Sequence, residues 1–282
     1  MSAAAQPLHQ MSPRRDAGGP STARGLLLTV LGQFLLATGG HAWTASFIDV
    51  LSRCGVGEKA VRQALMRTAA RGWLSAERTG RRTRWALTGS GRGLLSAGAE
   101  RIYAFADAAQ PWDGQWLLVL ARVTESDRSA RHVLRTRLSW AGFGSLGSGL
   151  WISPHPARLD EAQQVLAQAG VGERAVVFVA ARAPGGDVRG MVAQAWDLDA
   201  VDASYEQFVA EFSSDGERDP IERLVALVHT WRRFPLVDPG LPGELLPAHW
   251  SGLAAAQLFA TRHEQWTPSA LRAWQELEAR RN

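Results

Sequence analysis

The chain is poor in the residues that crosslink or chelate. Its 282 residues include one cysteine, one lysine, two tyrosines and four methionines, and no apolar run is long enough to cross a bilayer. The lone Cys54 excludes an intramolecular disulfide framework and a Cys-rich zinc site, and it suits a reducing cytoplasm. It reads as a small turn residue, with a redox-sensing thiol as the competing assignment. Lys59 is the only lysine, so 30 of the 31 basic residues are arginine, which speaks of composition rather than mechanism. Histidine offers no metal site: His229, His249 and His263 keep no metal-ligand spacing, and His263-Glu264 lacks the second histidine of H-E-x-x-H. No cofactor is implied. Apolar residues, by contrast, make up 46% of the chain, with 12 tryptophans, enough for two or three domains with their own cores.

Charge is divided unevenly. Residues 1–92 hold 13 Lys plus Arg against Asp16, Asp49, Glu58 and Glu77, a formal +9, while the rest holds 18 against 23, a formal −5, which together make the +4 of the whole. A basic head on an acidic body suits a phosphate-binding surface, because releasing counterions from neutralised phosphates supplies most non-specific affinity.

The head carries the most specific pattern. Residues 57–88 read as a helix followed by a two-stranded, Arg-rich ribbon. At about 100° per residue, Val61, Ala64, Leu65, Thr68 and Ala69 fall on one side of that helix, and Lys59, Arg62, Gln63, Met66 and Arg67 on the other. Upstream, 44–53 reads as a second helix with Thr44 as N-cap, joined through Cys54-Gly55-Val56-Gly57. Leu27, Val30, Leu31, Phe34 and Leu35 recur at helical spacing, so 25–38 is an amphipathic helix that holds the pair. Downstream, 73–78 and 83–87 are strand-like, and Arg78, Arg81, Arg82 and Arg84 stand on or beside the hairpin tip, where a guanidinium reaches phosphate or a narrow minor groove. Helix, turn, helix and basic wing predict a winged helix-turn-helix bound to double-stranded DNA through Lys59, Arg62, Gln63, Arg67 and the wing arginines. A solvated charge face on an ordinary helical domain is the plain alternative.

Residues 1–23, rich in Ala, Ser, Pro and Gly, predict a disordered tail. Arg14, Arg15 and Arg24 ahead of 26–37 imitate a signal peptide, but Gln33 interrupts the apolar stretch and no small-x-small site follows. Residues 24–109 are expected to form the DNA-binding domain, ending with a helix over 88–105 and a linker at 108–111. Strands at 115–123, 150–153 and 175–181, with helices at 128–141 and 160–169, predict a ferredoxin-like α+β domain over 110–195. Helices at 197–212, 220–234 and 251–278 predict a helical domain over 196–282, making the chain a multidomain α+β protein. Trp116, Trp151 and Trp196 lie in or beside apolar runs and read as packed. Gly142-Phe-Gly-Ser-Leu-Gly147 matches G-x-G-x-x-G but follows a helix and precedes a strand, the reverse of a dinucleotide fingerprint, and reads as a flexible turn.

Several separated segments resemble one family. HTWRRFPLVDPGLPGELLPAHW at 229–250, WDGQW at 112–116, GFG at 142–144 leading to LWISP at 150–154, and AVRQAL, GWL and GRR at 60–65, 72–74 and 80–82 are together similar to the PaaX repressors of phenylacetate catabolism. The resemblance spans about residues 24–275. It implies a winged helix, a central domain similar to small CRISPR-associated endoribonucleases, a helical C-terminal domain, and a cytoplasmic homodimeric repressor that leaves operator DNA on binding an aryl-acyl-coenzyme A such as phenylacetyl-CoA. The long tail and the exposed Met66 depart from the family pattern, which bears on operator sequence rather than on DNA binding.

An anionic effector is expected outside the basic head, where the body carries the Arg-rich 128–137 and Trp231-Arg232-Arg233. An aromatic face beside two guanidiniums suits adenine and phosphates, although a helix end pairing with Glu222 or Asp238 explains the same residues. The alternative class is a metal-dependent nuclease on the central domain. It requires a carboxylate at the end of the first strand, whereas the nearest are Asp113 before it and Glu125 and Asp127 beyond. Fold analogy does not carry activity, and the chain reads as no enzyme.

Overall fold

The computed structural model describes residues 22–38, 40–105, 112–124, 127–182 and 185–281. Residues 1–21 of the expected tail, the expected linker 108–111 and Glu125 lie outside them. By spatial proximity the chain divides into two compact units: Met1–Asp107 with Phe208–Arg233 and Leu253–Asn282, and Ala108–Gln207 with Phe234–Gly252. The stretch 196–282, expected as one helical domain, is thus apportioned between both units.

In the first unit α1 (Ala23–Val30) starts where Thr22 accepts a hydrogen bond from Gly25 N, and it widens into a π-helical turn over Leu31–Leu36. Leu27, Val30, Leu31, Phe34 and Leu35 are buried, as their spacing requires. β1 (His41–Trp43) leads into α2 (Thr44–Arg53), and a tight joint into α3 (Glu58–Ala70). Thr44 does not cap α2: the N-cap is Trp43, and the Thr44 hydroxyl instead donates to the Thr83 carbonyl at 3.1 Å and accepts from Trp85 Nε1 at 2.8 Å. β2 (Leu74–Thr79) and β3 (Arg82–Leu87) form a hairpin, and the antiparallel sheet runs β1-β3-β2. Thr79 pairs with Arg82, so Gly80-Arg81 is a two-residue turn, and the positive φ of Gly80 (61°) meets its type II′ requirement. α4 (Gly89–Ala104) follows, capped by Thr88.

Two later helices complete this unit. α9 (Pro220–Trp231) buries Ile221, Leu224, Val225, Leu227, Val228 and Trp231; α11 (Gly252–Ala279) brings Phe259, Trp266, Ala270 and Trp274 into the core. Trp274 stacks on Phe34 at 4.7 Å between ring centroids and meets Phe47 edge-on at 6.0 Å. The core of the N-terminal segment is therefore closed by a residue eight positions from the C-terminus.

In the second unit β4 (Gln115–Ala121), α5 (Arg128–Trp140), β5 (Gly144–Gly147), β6 (Leu150–Ser153), α6 (Leu159–Gln168) and β7 (Ala175–Ala181) make an antiparallel sheet of order β5-β6-β4-β7. This is the βαββαβ order of a ferredoxin-like fold. The segment expected as a flexible turn contains β5: its backbone pairs with β6 despite three glycines that carry no strand propensity. Leu117, Val119 and Ala121 face α5 and α6. On the other sheet face Trp116 and Ile152 pack with Val192 of α7 (Val188–Ala195) and with Leu241 and Leu245. α8 (Leu198–Phe212) belongs to this unit up to Gln207, and α10 (Phe234–Val237) opens the segment that returns to it.

Candidate nucleic-acid interface

α3 divides as its sequence requires. Val61, Ala64, Leu65 and Thr68 are buried, whereas Lys59, Arg62, Gln63, Met66 and Arg67 are exposed, Met66 at 62%. The polar face is already ordered by its own helix. Glu58 holds Arg62 at 2.7 Å, and Arg67 Nη2 donates to Gln63 Oε1 at 2.9 Å, both four residues apart and therefore stacked on one stripe.

The hairpin presents its arginines in two ways. Arg82 lies over the Trp43 ring at 4.0 Å from the centroid and donates to the Arg281 carbonyl at 2.6 Å, and Arg84 pairs with Glu77 at 3.2 Å while lying 5.3 Å from the same ring. Arg82, in the pair that closes the turn, and Arg84, two residues further in, are thus held against Trp43. Arg78 and Arg81 are exposed beside the same turn. The whole arrangement is braced from the residues just after α11, where Arg281 Nη2 meets Asp49 of α2 at 3.0 Å. The sequence showed the helix face and the hairpin but no sign of this brace, which joins residues 232 positions apart.

The other candidate cluster is a core element. Trp231 is fully buried, stacked on Phe259 at 4.6 Å, tilted against Phe208 at 5.3 Å, and its Nε1 donates to the Ile102 carbonyl at 3.1 Å. No face of Trp231 is left for an adenine, so the expected stacking of a ligand on Trp231 is corrected, while Arg232 and Arg233 follow it half-buried and exposed. Neighbouring His229 is driven down to about 3 by burial and then by Arg232 and Arg233, and it shares a hydrogen bond with Thr29 at 3.1 Å. His263 is lowered by burial, and its Nε2 stands within 3.1 Å of both Tyr103 Oη and Gln33 Oε1, a polar triad inside the apolar core.

The remaining motif residues also have packing roles. In the second unit the 234–250 part of the 229–250 segment is fastened by Asp238, whose Oδ2 accepts from Tyr205 at 2.6 Å and whose Oδ1 accepts from Gly240 N at 2.6 Å. Burial pushes the Asp238 carboxyl and the Tyr205 hydroxyl up. Asp113 accepts from Gln115 N and Asp127 caps α5 by accepting from Ala130 N, so both carboxylates near β4 are tied to backbone. Among the described residues no group of three His, Cys, Asp or Glu side chains is gathered as a metal requires. Cys54, in the turn after α2, is pushed up to about 11 by burial.

Comparison with known proteins matches this layout along its length. A family model for PaaX-like protein matches residues 22–91, the PaaX protein central Cas2-like domain matches 109–192, and the PaaX-like protein C-terminal domain matches 196–276. The transcriptional repressor PaaX of Escherichia coli (strain K12) is 35% identical over 270 residues, covering 89% of this chain and 83% of that protein. An uncharacterized protein from Mycobacterium tuberculosis has a similar fold, with a TM-score of 0.60 and 24% identity over 90% of this chain and 99% of its own.

Proposed function

The chain belongs to the PaaX family, and from that premise we propose that it is a cytoplasmic transcriptional repressor of phenylacetate or related aromatic-acid catabolism. The first unit acts as a winged helix-turn-helix. α3 enters the major groove, with Arg62 and Gln63 at base edges and Lys59 and Arg67 flanking, while Arg78, Arg81, Arg82 and Arg84 of the β2–β3 wing take phosphates or the minor groove. The observation that carries this is the exposed polar face of α3 beside a rigid basic hairpin, on a head of formal +9.

The protein works as a homodimer on an inverted repeat, since one winged helix covers little DNA and a two-fold protein mirrors its symmetry onto its site. Val176, Phe178 and Val179, large apolar side chains exposed on edge strand β7, supply a surface that a second copy would cover. An aryl-acyl-CoA releases the DNA by binding the DNA-free conformation more tightly, and reciprocity requires operator DNA to weaken effector binding by the same factor. The test is a mobility-shift titration on the promoter DNA flanking the gene, with phenylacetyl-CoA and free phenylacetate added in turn. Sequence-selective retardation relieved by the thioester is expected. Equal affinity for promoter and scrambled DNA refutes the repressor, and retardation unmoved by the thioester refutes the effector.

A further inference from the structure

The second unit contains an open cavity of about 1100 Å³ at the sheet end where β4 finishes and α5 begins. Arg122, Arg128, Arg131, Arg135 and Arg174 line it, with no carboxylate among its described lining residues. Three of these arginines stand on α5. At 100° per residue, Arg128, Arg131, His132 and Arg135 share an arc of about 100°, so one cationic stripe forms a wall while Ala130, Leu134 and Leu138 are buried. Asp127 caps the same helix, its Oδ1 accepting from Ala130 N at 3.0 Å.

The facing wall is the β5–β6 turn. Gly147 pairs with Leu150, leaving Ser148 and Gly149 as the central residues, both at positive φ (50° and 81°) as a type I′ turn demands. Ser148 is the one non-glycine at positive φ among the described residues, a conformation that costs on the order of 1 kcal/mol. A side chain at Gly149 would put its Cβ 2.3 Å from the Ala121 carbonyl, whose N–H in turn donates to Gly149 O at 2.9 Å. The turn is therefore pinned against the end of β4. Below both walls the lining is apolar, with Val123, Leu134 and Trp151.

Guanidiniums on one wall and an apolar floor match a ligand that is itself part polyanion and part apolar. Arginine forks bind phosphate oxygens in pairs, and the cavity volume is just above the usual range of ~300–1,000 Å³ for ligand pockets, far more than a lone phosphate fills. We propose that this cavity binds a nucleoside polyphosphate carrying an aryl or acyl arm, with the phosphates on the α5 stripe and Arg174 and the apolar arm toward Trp151. It rests on the acyl-CoA reading above and adds the place where that effector binds.

Calorimetric titration of the full-length protein with phenylacetyl-CoA, coenzyme A and adenosine 3′,5′-bisphosphate tests it. The variants are Arg131→Ala with Arg135→Ala, and Arg189→Ala on the exposed side of α7 as a charge control. Binding of all three probes by the wild type is expected, weakened about tenfold or more by the double variant and less than twofold by the control, with thermal unfolding and operator affinity of the free protein unchanged. Phenylacetyl-CoA bound equally by wild type and double variant overturns the cavity and leaves the effector reading standing. Cavity-dependent binding of the probes without release of operator DNA keeps the cavity and overturns the effector reading. No binding of any probe, or binding of single-stranded nucleic acid in their place, overturns the ligand class.

Discussion

Removing Arg62 should reveal how much of the DNA contact is base reading. A bidentate guanidinium on a base edge is worth about 1–3 kcal/mol of discrimination, but in the free protein Arg62 is already paired with Glu58 at 2.7 Å. Both side chains are more than half exposed, so that pair is worth only ~0.3–0.5 kcal/mol, and breaking it reduces the gain by that amount. Arg62→Ala with Gln63→Ala should then weaken cognate binding by at least tenfold while changing scrambled-DNA affinity little, and Glu58→Gln should tighten cognate binding by about a factor of two. Arg81→Ala should behave differently. One lost phosphate contact reduces the logarithmic salt slope by about 0.9, which amounts to roughly 3.5-fold between 50 and 200 mM salt on every sequence alike. Fluorescence anisotropy on both DNAs across that salt range reads all of this. Cognate affinity unchanged in the Arg62-Gln63 double variant would refute the placement of α3, and an unchanged slope for Arg81→Ala would refute the wing.

Trp274→Ala removes the ring stacked on Phe34 and should cost about 3–5 kcal/mol in urea unfolding, with operator binding lost in parallel; a cost below ~1 kcal/mol would show that α11 does not complete the head. His229 has its folded pKa near 3 against 6.5 free, so the unfolded chain takes up a proton that the folded one refuses, and the stability present above pH ~6.5 is lost as pH falls toward 3. Between pH 6 and 5 the wild type should lose about 1.2 kcal/mol more than His229→Gln, and parallel pH profiles would contradict this. Cys54, held near 11, should react with disulfide reagents at pH 8 about tenfold more slowly than in the unfolded chain, and comparable rates would exclude its burial.

Elements whose stability is written in neighbouring residues were legible. The buried stripe of α3, β6 at Leu150–Ser153 and β7 at Ala175–Ala181 follow from periodicity and turn residues alone. What was misread depends on partners distant in sequence. Thr44 has the chemistry of an N-cap, and only Thr83 and Trp85, about forty residues on, draw its hydroxyl away. β5 has the composition of a loop and becomes a strand because β6 offers it a ladder. Trp231 beside two arginines looks like a ligand platform until Phe259 covers its face. The arginines at 128, 131 and 135 were visible as a basic helix, but the wall facing them comes from the turn after β5 and from Arg174.

The order in which the chain emerges from the ribosome gives the last helix a further meaning. Phe34 and Trp274 are 240 residues apart, so at ~5–20 residues per second the first ring waits roughly 10 to 50 s for the second. A nascent or prematurely terminated chain carries α3 and the wing without the aromatic pair and the Arg281 brace that fix them. The core of the head is therefore not closed until the helix that carries Trp274 has been made, so a chain interrupted before it displays α3 and the wing on an unclosed core.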